Sequence, residues 1–136
     1  MRRVIFIAMA VLATLVLTLP PAWAGEPHFV GQGCTLVSVS GACVTVNAKE
    51  AGLGDEAQIN VLLTATAECI NPGEKHPKAA NKADVAADAE VPVQNGQATY
   101  TLTGCAVFQP ECSPPMTVLI TDITITDTTN DITCTP

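Results

Sequence analysis

Basic side chains are scarce in this sequence, which has 6 Lys and Arg residues against 13 Asp and Glu and a formal net charge of −7. Both arginines, Arg2 and Arg3, stand at the very N-terminus. Nucleic-acid binding depends on Lys and Arg contacts to phosphates, and anionic membranes attract basic segments. The composition therefore argues against both kinds of partner.

Catalytic and cofactor-binding motifs are missing as well. The chain has 2 His residues, His28 and His76, and no Gly-x-Ser-x-Gly elbow to hold a nucleophile beside a base. It has no phosphate-binding loop and no EF-hand loop. We predict that the protein is not an enzyme and needs no cofactor.

A calcium site formed by Asp122, Asp127 and Asp131 stays open at this stage. Carboxylate oxygens are the ligands that Ca²⁺ prefers. Aspartates at such positions are also typical of turns, where they accept hydrogen bonds from nearby backbone amides. The residue spacing is compatible with both roles.

An export signal is predicted over residues 1–24. Arg2 and Arg3 precede an apolar run from Val4 to Leu19, and Ala22-Trp23-Ala24 forms a small-x-small cleavage site. The apolar run is short for a bilayer span. Cleavage would leave 4 lysines and 13 acidic residues, a net charge of 4 − 13 = −9. We expect a protein that is secreted or held at the cell surface, with no membrane span after cleavage.

Six cysteines follow the predicted signal: Cys34, Cys43, Cys69, Cys105, Cys112 and Cys134. An even number in an exported chain predicts disulfides, and six cysteines allow 15 pairings. Each bridge typically adds ~2–4 kcal/mol. Because aromatic residues are few, three bridges would be a large share of the stability of this domain.

The segment Glu56–Cys69 has the clearest pattern in the chain. Its odd positions, from Ala57 to Cys69, are all apolar or cysteine, whereas all but one of its even positions are polar. A strand points successive side chains to opposite faces, so this period of two predicts a long strand with one buried face.

Shorter strands are predicted on both sides of it, after a flexible lead-in over residues 25–32. Ser40-Gly41 and Asn95-Gly96 are turn dipeptides between alternating runs, and the second is a strong hairpin signal. In 116–127 the apolar parity switches at Thr121-Asp122, which predicts a β-bulge. About seven strands result, so we predict an all-β antiparallel sandwich in a single domain, residues 33–136.

The cysteine pairing is only partly constrained by these strands. A Cys34–Cys43 bridge would need an irregular crossing of its hairpin. Cys105 and Cys112 flank a proline-rich loop that either closes on itself or reaches other elements. If the long strand runs upward, then Cys69, Cys105, Cys112 and Cys134 all fall at its upper end, which favours long-range bridges among these four.

Three motifs resemble those of a group of small, threonine-rich secreted bacterial β-sandwich proteins: Gly52-Leu-Gly54, the run from Thr64 to Gly73 (TATAECINPG), and the run from Ile120 to Ile125 (ITDITI). The similarity covers about residues 52–127, although Glu111–Pro115 departs from the loop pattern of the group. It implies a sandwich and a Cys69–Cys112 pair, and no activity. With that pair, Cys34–Cys43 and Cys105–Cys134 complete the favoured set.

Export, disulfides, strand patterning and the lack of catalytic residues predict a non-enzymatic protein for extracellular interaction or structural assembly, with a foreign protein, a surface component or its own copies as partner. Binding is expected at a strand edge or in the loops 71–83 and 106–115. The candidate loop residues are Asn71, Lys75, His76, Lys78 and Phe108. The alternative is a secreted enzyme inhibitor, or a small enzyme, that uses the Cys105–Cys112 loop.

Overall fold

The computed structural model describes residues 25–73 and 81–136. The predicted signal at 1–24 and the loop residues Lys75, His76 and Lys78 lie outside these ranges. The described chain forms strands β1 (His28–Ser40), β2 (Cys43–Ala51), β3 (Gln58–Ile70), β4 (Asn81–Pro92), β5 (Ala98–Cys105), β6 (Thr117–Asp127) and β7 (Ile132–Cys134). No helix long and apolar enough to cross a membrane occurs in these residues.

The strands form two antiparallel sheets, which confirms the predicted all-β sandwich. Sheet A has the order β1-β2-β5 and sheet B the order β4-β3-β6-β7. We call the end at which β3 finishes, near Ile70, the upper end of the sandwich, and the end at which β3 begins, near Gln58, the lower end. β6 runs downward beside β3, and β7 turns back upward.

β3 is the central strand that its alternation predicts. It pairs with β4 on one side and with β6 on the other. Its odd residues from Ile59 to Cys69 are buried, and they pack against Val44 and Val46 of β2 and Ile125 of β6. Fully burying one such aliphatic side chain stabilises a protein by about 1.5–3 kcal/mol. The core is therefore an aliphatic layer between the two sheets.

The turn at Asn95-Gly96 forms as predicted, but the hairpin around it is short. Both residues have positive φ, 53° and 70°, and Gln94 and Gln97 form the one bridge beside the turn. β4 and β5 then separate into different sheets. The turn chemistry is local and correctly predicted. The assignment of each strand to a sheet depends on distant residues.

The bulge predicted in β6 is confirmed. The register with β3 shifts between Thr64 and Thr66, and Asp122 has a φ of 55°. The extra residue brings Ile123 and Ile125 onto the same face as Val118 and Ile120, as the change of parity requires.

The lead-in predicted over 25–32 is too long, because β1 already begins at His28, which pairs with Ala51. The register of β1 breaks between Phe29 and Cys34, where Gly31 and Gly33 have positive φ. A Cβ on Gly33 would lie 2.6 Å from Sγ of Cys134. These glycines allow β1 to approach β7 as an irregular strand. They also interrupt the alternating pattern, so the sequence does not predict a strand in this part of β1.

The disulfides are Cys34–Cys134, Cys43–Cys105 and Cys69–Cys112. The last is the pair that the resemblance implies, whereas the pairings Cys34–Cys43 and Cys105–Cys134 are wrong. Cys43 lies directly opposite Cys105 on the neighbouring strand. Cys134 stays in the lower half because β7 has only three residues and ends opposite Ile125. Three disulfides are typical of an oxidising, extracellular environment.

Candidate interaction surface

The upper half of β1 is an open sheet edge. Thr35 to Ser40 are all exposed, and they include Leu36 at 43%, Val37 at 52% and Val39 at 47% exposure. β1 pairs only with β2, so its other edge offers unpaired backbone groups. An edge of this kind is a template for another strand.

Two of these apolar side chains point inward and still meet solvent. Leu36 pairs with Val46 and Val39 with Val44, so they share the inner face with two fully buried valines. They are uncovered because β7, the strand bridged to β1 through Cys34–Cys134, stops at that level. Above it, the outer edge of β6 pairs with no described strand.

The inner face of upper β6 continues this apolar surface. Val118, Ile120 and Ile123 are only partly buried, although they pack against the core. Val118 also lines a depression at the upper end together with Gly41, Ala42 and Ala106. In the described residues, all five exposed large apolar side chains lie in the upper half of the sandwich or in its upper loop: Leu36, Val37, Val39, Val107 and Leu119. We call β1 from Thr35 to Ser40, with upper β6, the open side.

Charge is divided unequally between the two sheets. In sheet A, Lys49 is the only exposed Lys, Arg, Asp or Glu, and residues 29–48 contain none of these types. Sheet B carries acidic groups on all of its long strands: Glu68, Asp84, Asp88, Glu90, Asp122 and Asp127. The open side therefore combines an uncharged edge with exposed apolar groups on an acidic protein.

The other sheet edges are protected in the ways that natural proteins use. β4 carries Lys82, Asp84, Asp88 and Glu90 and ends at Pro92, and charges and prolines discourage edge pairing. β7 is very short. β5 packs close to β4, since a Cβ on Gly104 would lie 2.7 Å from Cγ1 of Val85. The upper half of β1 lacks both charge and proline.

The loop candidates are placed less favourably than the strand edge. Phe108, predicted as a presented residue, is wrong in that role because it is only 9% exposed and joins the core. Its neighbour Val107 is exposed instead, at 76%. Asn71 is exposed beyond the end of β3. The loop does not close on itself, because Cys105 is bridged to β2 and Cys112 to β3.

The calcium candidates do not form one site. Asp127 is fully buried, and its carboxylate accepts hydrogen bonds from the Thr129 amide (2.8 Å), the Asn130 amide (3.1 Å) and the Asn130 side chain (2.7 Å). It therefore caps the β6–β7 turn. Asp122 lies in the bulge of β6. Across residues 25–73 and 81–136, no cluster of His, Cys, Asp or Glu suits a metal ion.

A buried polar cluster that the sequence reasoning missed lies between the sheets at the lower end. Glu50 of β2 is fully buried and accepts a hydrogen bond from the Tyr100 hydroxyl of β5. The pKa of Glu50 is raised to about 7, mainly by burial, with a lowering by the Tyr100 hydrogen bond and a further raising contribution from the Asp127 carboxylate. Burial and the Glu50 carboxyl also raise the pKa of Tyr100. Glu50 therefore carries a proton below about pH 7 and loses it above.

The alternating pattern of β2 already indicates that Glu50 is buried. Val44, Val46 and Ala48 predict an inward face, and Glu50 is the next residue on it. Asp127 follows Ile123 and Ile125 in the same way. The cluster is closed to solvent, whereas the exposed large apolar side chains of the described residues lie on the open side and in the upper loop. No family model, no curated protein and no solved structure matches the chain.

Proposed function

We propose that the chain is a secreted, non-enzymatic β-sandwich protein that acts by strand-mediated interaction at its open side. The single observation that carries the proposal is the exposure of Thr35–Ser40 on both faces, at an edge with three apolar side chains and no charge. Backbone pairing along such an edge provides affinity, and alternate side chains provide specificity. Secretion is supported by the signal pattern at 1–24 and by the three disulfides.

The proposal is tested by capture with a matched pair of variants. The mature chain, tagged at its C-terminus, is incubated with medium and surface extract of the producing cells, and retained proteins are identified. Leu36→Lys with Val39→Lys adds charge to the open side, whereas Thr99→Lys adds it to an exposed position of β5 in the same sheet. We expect retention by the wild type and the Thr99 variant, and loss with the double variant. Retention that is equal in all three forms, or absent in all three, contradicts the proposal.

A second candidate function, inhibition of an extracellular enzyme, is supported by Val107. This residue is 76% exposed in a loop whose two ends are fixed by different disulfides, and such rigidity lowers the entropy cost of binding. A panel of proteases assayed with the wild type and with Val107→Asp tests it. Inhibition that the variant loses supports this function, and no inhibition of any enzyme removes it.

A further inference from the structure

We infer that the open side binds the open side of a second copy, so that two β1 strands pair antiparallel about a two-fold axis. This inference rests on the proposed function and names the partner. The three strands of each sheet A then form one continuous sheet, with the two β1 strands at its centre. In an isologous contact of this kind the same segment meets itself, so the segment must be complementary to itself.

The segment Thr35–Ser40 meets that requirement. Its sequence, TLVSVS, consists of apolar, β-branched and small hydroxyl residues, with no charge and no proline. Short segments with high β-propensity and no charge are those that pair most readily with identical segments. The register shift between Leu36 and Ser38 twists the strand locally, which limits pairing to a short ladder and favours a closed dimer over a fibre.

Electrostatics favours this contact over others between two copies. Each chain is strongly acidic, so two copies repel one another wherever their carboxylates approach. Pairing through β4 would bring Asp84, Asp88 and Glu90 against their own equivalents. Pairing through β1 brings together two strands without a charged side chain, because residues 29–48 contain none. Asp122 in the bulge of β6 is the acidic residue of the open side.

Apolar burial gives the second contribution. Leu36 and Val39 lie on the inner face of β1 without a covering strand, and Val37 is exposed beside them. A partner strand places equivalent side chains next to each of them, since side chains on adjacent strands pack at ~5 Å. The contact is small compared with a standard protein interface, so we expect a dissociation constant on the order of 10 μM.

Sedimentation velocity of the oxidised mature chain between about 1 and 300 μM tests the inference, with Leu36→Lys/Val39→Lys as the disrupting variant and Thr99→Lys as its control. We expect the wild type and the control to change from monomer to dimer, and the double variant to dissociate at least tenfold more readily. Because both copies are acidic, added salt should strengthen the wild-type dimer by screening their repulsion. A wild type that stays monomeric overturns the inference, as does a dimer that the double variant retains.

Hydrogen exchange of the wild type keeps the test valid if the double variant fails to fold. Amides within Thr35–Ser40 should exchange several-fold more slowly at 300 μM than at 1 μM, while β4 amides remain unchanged. Equal exchange at both concentrations overturns the inference. If the chain is monomeric but captures a foreign protein through the open side, the self-pairing fails and the proposed function stands. If nothing binds there, both fail.

Discussion

The carboxyl groups of Glu50 and Asp127 lie close enough between the two sheets that the Asp127 carboxylate raises the pKa of Glu50. Both residues are fully buried. Asp127 accepts three hydrogen bonds from Thr129 and Asn130. Oε1 of Glu50 accepts from Tyr100, whereas no donor among the described residues reaches Oε2. Burial, ahead of the Asp127 carboxylate, raises the pKa of Glu50, and protonation leaves no charge on the unpartnered Oε2.

The first prediction concerns the pH dependence of stability. The pKa of Glu50 is about 7 in the folded protein and near its ordinary value of 4.5 when unfolded. The folded state therefore binds the proton more tightly, so this stabilisation is complete below pH 4.5 and is lost as the pH rises through 7. We expect the free energy of unfolding to fall by up to about 3 kcal/mol over this interval. Guanidinium denaturation with intact disulfides, at half-unit steps from pH 4 to 8.5, measures it. A flat profile contradicts the assignment of the proton.

The second prediction is that Glu50→Gln removes this pH dependence. The glutamine amide can accept from Tyr100 and donate to Asp127 without titrating, so it reproduces the protonated form. Near pH 4.5 the variant should match the wild type, and at pH 8 it should be more stable by up to about 3 kcal/mol. The same denaturation series measures both, with Glu90→Gln on the exposed face of β4 as control. Equal loss of stability by the variant at both pH values would show that Glu50 is held as a carboxylate.

How much the sequence could predict depends on how local each feature is. Three features are predicted by patterns among neighbouring residues, and all three are found in the structure: β3, the Asn95-Gly96 turn and the β6 bulge. The separation of β4 from β5 into different sheets is decided by packing between distant residues, and no local pattern encodes it.

The sequence predicts binding at a strand edge, but it does not show which edge is open. That depends on the length of β7, which ends at Cys134. The Cys43–Cys105 pair follows from the register between β2 and β5, which no local pattern shows. Phe108 lies in a loop that the sequence predicts to be exposed, and its burial depends on the core beneath that loop.

The third prediction concerns the close approach of β5 to sheet B. A Cβ on Gly104 would lie 2.7 Å from Cγ1 of Val85 and 3.4 Å from Cδ2 of Leu63. Gly104→Ala overpacks this contact and should lower the free energy of unfolding by about 1–3 kcal/mol. Gly73→Ala, where no atom of the described residues lies within 4 Å of the added Cβ, is the control and should change it by less than about 0.5 kcal/mol.

The same contact predicts that the free-energy costs of substitutions at Gly104 and Val85 are not additive. This non-additivity distinguishes overpacking from a general intolerance of substitution in β5. Val85→Ala removes the atoms that a Cβ on Gly104 would meet, so its cost should be smaller when Gly104→Ala is already present. The double-mutant cycle measures this difference. Strictly additive costs would indicate that the two sheets are farther apart here than the structure has them.

The fourth prediction is the disulfide connectivity, because all other arguments about the open side depend on it. Cys34–Cys134 fixes β1 to the short β7, and so determines the level above which β1 is uncovered. Digestion without reduction can resolve the pairs, since Leu36 lies between Cys34 and Cys43, Glu111 between Cys105 and Cys112, and Met116 between Cys112 and Cys134. We expect fragments joined as Cys34–Cys134, Cys43–Cys105 and Cys69–Cys112. A fragment joining Cys34 to Cys43 would release β1 from β7 and remove the physical reason for an open edge.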